Sequence, residues 1–387
     1  MGKHYDKYIK YKKKYISLTA GAYEYPDADV SLNVNSGESN PPPLTQMFTP
    51  ELLHTPHTQI TTSELKESFL KYIENYKHLN NTNVDDSLRI ATFNVHYFTD
   101  INEKDTYESI LNVIHHLNAD IIILQEVIVG GKIIINENTT INVSNLYDDL
   151  TNIGYKKKIL CNSVPSWFQG IYGNLLLMKN KLCINKKNSL HKLCEENNET
   201  IHTFEKSKEC TVVSGSHEGT NETRCYIYCK FNYHKCNFHI FGFHLDVGTE
   251  VTRLEQINNI LVQCDCIKLS DPEAYIILLG DFNTTATSIP DNEFLKNNGV
   301  VYDKIVSHPH NYYDCSKLNK EKDRSKMTTW NNQVVDFIFC NKNLLSDDNF
   351  GAEFDYYYTN SSDHLPIFIT LKPKKFKNSK KLKYNFI

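Results

Sequence analysis

Short apolar runs in this chain end on, or enclose, residues that an apolar core does not accept unpaired. Glu126 follows IIILQ, His244 follows IFGF, Asp281 follows IILLG, and Asp336 stands between VV and FIF. Asn94 closes a run that begins at Arg89, and the turn Ser362-Asp363-His364 precedes the last run, Ile367–Leu371. Carboxylates and imidazoles are buried only with partners. One such residue is ordinarily a strand-end ion pair; several at strand ends point to convergence on a shared cation. Asp, Glu and Asn offer hard oxygen donors, which suit Mg²⁺ held by one or two carboxylates and several waters. No Cys or His spacing along the chain suits zinc.

Around these runs, strand and helix patterns alternate from Asp86 onward. Arg89–Val95, Ile121–Val127, Ile171–Met178, Arg224–Phe231, Phe238–Leu245 and Tyr275–Leu279 read as strands. Tyr107–Leu117 has helical spacing, and a second helix runs through Arg253, Gln256, Ile260 and Leu261. Thr328–Phe339 reads as a hairpin turning at Asn331-Asn332. Strands outnumber helices, so an α/β fold is expected: two β-sheets packed face to face and flanked by helices. The expected organisation is a basic segment and Pro/Thr/Ser/Asn-rich linker at 1–62 and a helical segment at 63–85, with Leu65, Phe69, Tyr72, Ile73 and Tyr76 on one face. The main domain follows at 86–372, with a polar insertion near 180–222, and a Lys-rich tail at 373–387.

Charge narrows the partners. Residues 1–15 carry six Lys and one Asp, and residues 372–387 carry seven Lys and no acid. Removing +5 and +7 from the net charge of −4 leaves −16 between them. An acidic body binds polyanions poorly, since that affinity rests on phosphate neutralisation; the Lys-rich ends are either tethers to nucleic acid or anionic surfaces, or solvated tails. The 11 cysteines form no disulfide framework and read as free thiols, which favours a reducing, intracellular compartment, cytoplasmic or nuclear. No apolar run is long enough for a membrane span, and the first twenty residues lack a secretory signal.

TFNVH (92–96), ILQEV (123–127), GFHLD (242–246), LLGDFN (278–283), VVDFIF (334–339) and SSDHLP (361–366) resemble, in this order, the motif series of the endonuclease/exonuclease/phosphatase superfamily. Six motifs in order are far more specific than any one of them. The resemblance implies a four-layer, deoxyribonuclease I-like fold and a phosphoester hydrolase dependent on Mg²⁺, with Mn²⁺ as a substitute. It implies that Asn94 and Glu126 position the metal, with Asp363 a structural or second-metal ligand. Asp281 and Asn283 would orient the attacking water, and His364 paired with Asp336 would act as general base or stabilise phosphoryl charge. His244 would bind the phosphate or protonate the leaving oxygen. Asn174, Arg224 and Arg253 are further candidates for substrate contact. The general base is left as Asp281 or His364.

Three functions remain open on sequence. A nuclease or DNA-end-processing phosphodiesterase accords with the ILQEVI wording, similar to tyrosyl-DNA phosphodiesterases, and with the basic ends. A phospholipid or inositol-phosphate phosphoesterase accords with the acidic body, and a silent binding protein is disfavoured by the intact motifs. Nucleic acid is preferred as substrate, acted on by a monomer.

Overall fold

The computed structural model describes residues 62–80, 87–136, 139–164, 171–179, 202–203, 211–217, 224–287, 298–318, 327–331, 333–346 and 349–374. The Lys-rich ends, the proline-rich linker and most of the insertion lie outside the described residues.

Two units with the same plan form the centre of the fold. In the first, β1 (Leu88–Asn94), α2 (Tyr107–Leu117) and β2 (Ile121–Val129) make a crossover between parallel strands. In the second, β10 (Cys236–His244), α4 (Glu250–Ser270) and β11 (Tyr275–Asp281) do the same. A parallel pair needs such a connection, usually a helix. Every other strand pair among the described residues is antiparallel. The first unit sits within a six-stranded sheet ordered β14 (Phe350–Tyr356), β15 (Ile367–Pro373), β1, β2, β6 (Ile171–Met178), β5 (Lys157–Val164). The second sits within a seven-stranded sheet ordered β12 (Tyr312–Asp314), β13 (Asp336–Asn341), β11, β10, β9 (Arg224–Tyr233), β8 (Thr211–His217), β7 (His202–Thr203). A hairpin of β3 (Lys132–Asn136) and β4 (Thr139–Asn142) stands apart.

Strand alternation explains the layers. Ile121 and Ile123 enter the core between the sheets, whereas Ile122 and Leu124 face the helix side, under α2 and α3 (Leu146–Asn152). In the other sheet Ile277 and Leu279 enter the same central core, while Ile276 and Leu278 pack under α4 and α5 (Val300–Val306). Three cores and four layers result, as expected for an α/β sandwich of deoxyribonuclease I type. At Gly242 the sheets lie so close that a Cβ would stand 2.5 Å from the Ile123 side chain. Cys225 and Cys229 share one face of β9 in the central core, and Cys315 and Cys340 bury thiols 3.1 Å apart.

The helix near residue 63 is α1 (Thr62–Tyr76), continued by one 3₁₀ turn to Leu79. It closes the open end of the central core with Phe69, Tyr72 and Ile73, and Asn80 makes paired hydrogen bonds with the backbone of Tyr358. The segment 328–339 is not a hairpin: Thr328 and Thr329 close a turn on the Gln333 carbonyl, Thr329 bridges His364, and β13 pairs instead with β11 and β12. Part of the insertion is strand: β8 pairs along β9 from Thr211↔Lys230 to His217↔Arg224. A short α6 (Lys342–Ser346) completes the helices.

Candidate active site

The site lies at the carboxyl ends of the parallel strands, where open α/β sheets ordinarily place ligands. Strand parity puts most of it there. Alternation along β1, β10, β11 and β13 carries the central-core face to Asn94, His244, Asp281 and Asp336. Register then aligns three of them, with His244 opposite Asp281 and Asp281 opposite Asp336 on adjacent strands. Gly280 allows this approach: its φ is +148°, and a Cβ would fall 1.9 Å from the Phe243 carbonyl oxygen.

Glu126 has the wrong parity. By alternation it would follow Ile122 and Leu124 to the helix side. The β2–β6 register shifts between Leu124 and Val127, and Glu126 takes φ 56°. A bulge of this kind re-aims a side chain, and here it returns the carboxylate to the central face, where Asn94 Nδ2 donates to Glu126 Oε1 at 3.1 Å. Asn283 also has positive φ, 50°. Beyond β1, His96, Tyr97 and Phe98 have φ of 44°, 54° and 65° in succession. Non-glycine residues held in this region store strain of order 1–3 kcal/mol each and cluster at functional sites. Tyr97 and Phe98 anchor that turn in the helix-side core, and Thr99 closes it by donating to the His96 carbonyl.

Asp281 is the hub. Its Oδ2 accepts from Asn94 Nδ2 at 3.0 Å and lies 3.5 Å from His244 Nε2 and 3.8 Å from His364 Nε2. Its Oδ1 accepts the Asn283 N–H at 2.9 Å, while the Asn283 amide donates to the Leu245 carbonyl. Asp336 Oδ2 is 2.8 Å from His364 Nδ1. The Thr328 hydroxyl accepts the N–H groups of Val335 and Asp336, fixing the strand start behind that carboxylate. Asp363 Oδ1 lies 3.9 Å from His364 Nε2 and 3.7 Å from His96 Nδ1. Burial pushes the Asp281 carboxyl up to about 6, aided by the Asp336 charge and opposed by His364 and by hydrogen bonds from Asn94 and Asn283. Burial alone would lower His364, but Asp336, Asp363 and Asp281 outweigh it and raise it to about 10.

The cleft above is lined by Glu126, Arg224, His244, Asp281, Asn283, Asp363 and His364 on the polar side, with Val247, Trp330 and Val335 as its apolar part. Thr329, Asn331 and Gln333 complete it. Asn94 and Asp336 are buried beneath. The Arg224 guanidinium meets His244 Nδ1 at 3.2 Å. Asn174 and Arg253 do not line the cleft. Asn174 donates to the Cys225 carbonyl and so ties one sheet to the other. Arg253 grips Glu250 and the Asp246 carbonyl, and Gln256 accepts the Asp246 N–H, so both hold the loop after β10. Sequence reasoning missed Trp330, Val247 and His96 as cleft or rim residues; the TFNVH and GFHLD motifs reached or adjoined only His96 and Val247.

The donor set fits a divalent cation. Four buried carboxylates, Glu126, Asp281, Asp336 and Asp363, face one guanidinium and one imidazolium, Arg224 and His364, an excess of two negative charges. Uncompensated buried charge is costly, and a dication would offset it. Asn94 Oδ1 accepts the His96 N–H at 3.0 Å, and its amide N–H groups hold the Glu126 and Asp281 carboxylates in place.

The sequence model of the Endonuclease/Exonuclease/phosphatase family matches residues 91–364, well over half of the chain, and takes in five of the six motifs whole and the sixth as far as His364. The chain belongs to that family. Its members generally hydrolyse phosphoesters and are typically dependent on a divalent metal. Among solved structures, an endonuclease/exonuclease/phosphatase from Bacteroides vulgatus is 16% identical, with a TM-score of 0.49, covering 75% of this chain and 100% of that one. Truncated Caenorhabditis elegans TDP2 is 14% identical, with a TM-score of 0.45 and coverages of 74% and 98%. The human Nocturnin catalytic domain with bound sulfate anion is 17% identical, with a TM-score of 0.46 and coverages of 74% and 94%. No curated protein matches the chain. Among the described residues no helix is long and apolar enough to cross a membrane.

Proposed function

We propose that this chain is a divalent-metal-dependent phosphodiesterase acting on nucleic acid. The observation that carries the reading is the convergence of two imidazoles, His244 and His364, on one oxygen of Asp281 beneath an open cleft. Such a gap suits a phosphoryl group, with imidazoles ready to meet charge on its oxygens as it develops. Asp281, oriented by Asn94 and Asn283, is the group able to take a proton from an attacking water, while His364, held as an imidazolium by Asp336, would stabilise charge developing on the phosphoryl oxygens. Arg224 holds His244 on the opposite wall, where the leaving oxygen would sit. Glu126, steadied by Asn94, and Asp363 would hold Mg²⁺ or Mn²⁺, which would supply Lewis-acid stabilisation of the phosphoryl oxygens.

Nucleic acid is favoured by the cleft wall of Thr329, Asn331 and Gln333, whose hydroxyl and amide groups suit hydrogen bonds to sugar, phosphate or base edges. A lipid reading has one observation in its favour. Ile134 and Ile171 are 62% and 47% exposed, and Ile171 pairs with Val129, three residues along β2 from Glu126.

The test is hydrolysis, with Mg²⁺, of abasic DNA, 5′-tyrosyl DNA, RNA, sphingomyelin and inositol phosphates. Turnover of a nucleic acid that EDTA abolishes supports the proposal. Turnover of lipid or inositol phosphate alone rejects the substrate, and no turnover of any phosphoester by folded protein rejects the reading.

A further inference from the structure

A second cluster of metal-ligating side chains lies well away from the cleft. Asp265 stands on α4, fifteen residues after Glu250 and therefore about 22 Å along the helix from it. It meets His308 and His310 of the loop between α5 and β12. Asp265 Oδ1 is 2.8 Å from His310 Nε2 and 3.5 Å from His308 Nε2, and one ligand atom from each residue lies within 4.8 Å of the others.

An ordinary surface ion pair is the plainer account, and three observations weigh against it. The Nε2 of His310 is buried and makes no aligned hydrogen bond, even at that distance from Asp265. His308 is buried, and its Nε2 stands 3.5 Å from Asp265 Oδ1 with no hydrogen bond joining them. Both rings are also set in place beforehand. Their centroids are 5.0 Å apart, Tyr312 packs against each, and Pro309 restricts the backbone between them.

We propose that Asp265, His308 and His310 form a binding site for a transition-metal dication of the zinc class, with a fourth position open to water. Two imidazoles and one carboxylate suit such an ion and not Mg²⁺, which prefers oxygen donors. Metal–ligand bonds of about 2.0–2.1 Å in a tetrahedron set donors about 3.3 Å apart, so the 3.5 Å pair stands ready and the 2.8 Å pair opens by about half an ångström. Binding through Nε2 of His308 places the proton on Nδ1 and gives up the long 3.4 Å contact there from the His310 backbone N–H. Asp265 is 48% exposed, which leaves the outward position in solvent. The bound ion ties α4 to the loop ahead of β12, the edge strand of the seven-stranded sheet.

The site is tested on the full-length chain stripped of metal and titrated with Zn²⁺ against a chromogenic chelator. The native protein, Asp265→Ala, His310→Ala and Glu126→Gln are compared, with circular dichroism checking the fold. Loss of an outer-shell partner alone costs 10–100-fold in affinity, so loss of a ligand should weaken one equivalent by at least about 100-fold. That equivalent should disappear in Asp265→Ala and His310→Ala and persist in Glu126→Gln. Cobalt-loaded native protein should show the visible bands of a four-coordinate ion, and Asp265→Ala should lack them. The same Zn²⁺ stoichiometry and affinity in native protein and a folded Asp265→Ala variant overturns the proposal. So does an equivalent lost only in Glu126→Gln.

Discussion

Asp336 holds His364 through one carboxylate oxygen, 2.8 Å from Nδ1, while its other oxygen is buried without a hydrogen-bond partner. The pair leaves only Nε2 of His364 facing the cleft. Asp336→Asn and His364→Gln should each lower kcat by a similar factor, on the order of 10²–10⁴. The double variant should be little worse than either, because groups that act as a unit are strongly non-additive. Steady-state kinetics at saturating metal decide it, and multiplicative losses would separate the two residues.

The excess of two negative charges beneath the cleft makes a thermodynamic prediction. Mg²⁺ at about a hundred times its Kd should stabilise the native chain by about 2.7 kcal/mol, which is a melting shift of several degrees for a domain of this size. Glu126→Gln removes one ligand and half of the excess charge. Its melting temperature should respond far less to Mg²⁺, and its activity should be nearly abolished. An equal response in the two proteins would place the ion elsewhere.

The helix α1 should contribute to stability without touching the chemistry. Phe69 is fully buried in the central core, and Phe→Ala substitutions in cores cost about 3–5 kcal/mol. Phe69→Ala should therefore lower the unfolding free energy from urea denaturation by that amount while kcat of the remaining folded protein stays close to native. Unchanged stability would mean that the helix rests on the core without sealing it.

His239 offers a pH test away from the cleft. Burial pushes its imidazole down to about 3, and its Nδ1 lies 2.7 Å from the Tyr228 hydroxyl. The unfolded chain takes up a proton near pH 6.5 that the folded chain refuses until far lower pH. The stability this ring provides is thus complete above about pH 6.5 and declines below it, by about 1.4 kcal/mol per pH unit at most. Urea denaturation between pH 4.5 and 7.5 should show a shallower slope for His239→Gln than for the native chain. Identical slopes would contradict the assignment.

The sequence made the strands legible because each is a short apolar run of fixed period, and it made Asn94, His244, Asp281 and Asp336 legible because their parity follows from those runs. Glu126 was found by its motif although its parity is wrong; a bulge leaves no mark in residue type. Asn174, Arg224 and Arg253 look alike as polar residues near strands or helix starts, yet only Arg224 reaches the cleft, since reach depends on which sheets and loops face one another. Asp265 precedes His308 by 43 residues, and no short spacing rule detects ligands brought together by packing of a helix against a loop. The turn at 328–333 misled because its residues suit a hairpin, while its actual partner, His364, lies far along the chain.

The left-handed turn at His96, Tyr97 and Phe98 bears on the order in which the molecule assembles. L-residues disfavour that winding locally by roughly 1–2 kcal/mol each, so an unfolded or partly folded chain should leave this segment right-handed or extended. Only a finished core around Tyr97 and Phe98 can hold it over. The rim that brings His96 to Asp363 should accordingly be among the last parts of the protein to form and the first to relax on unfolding.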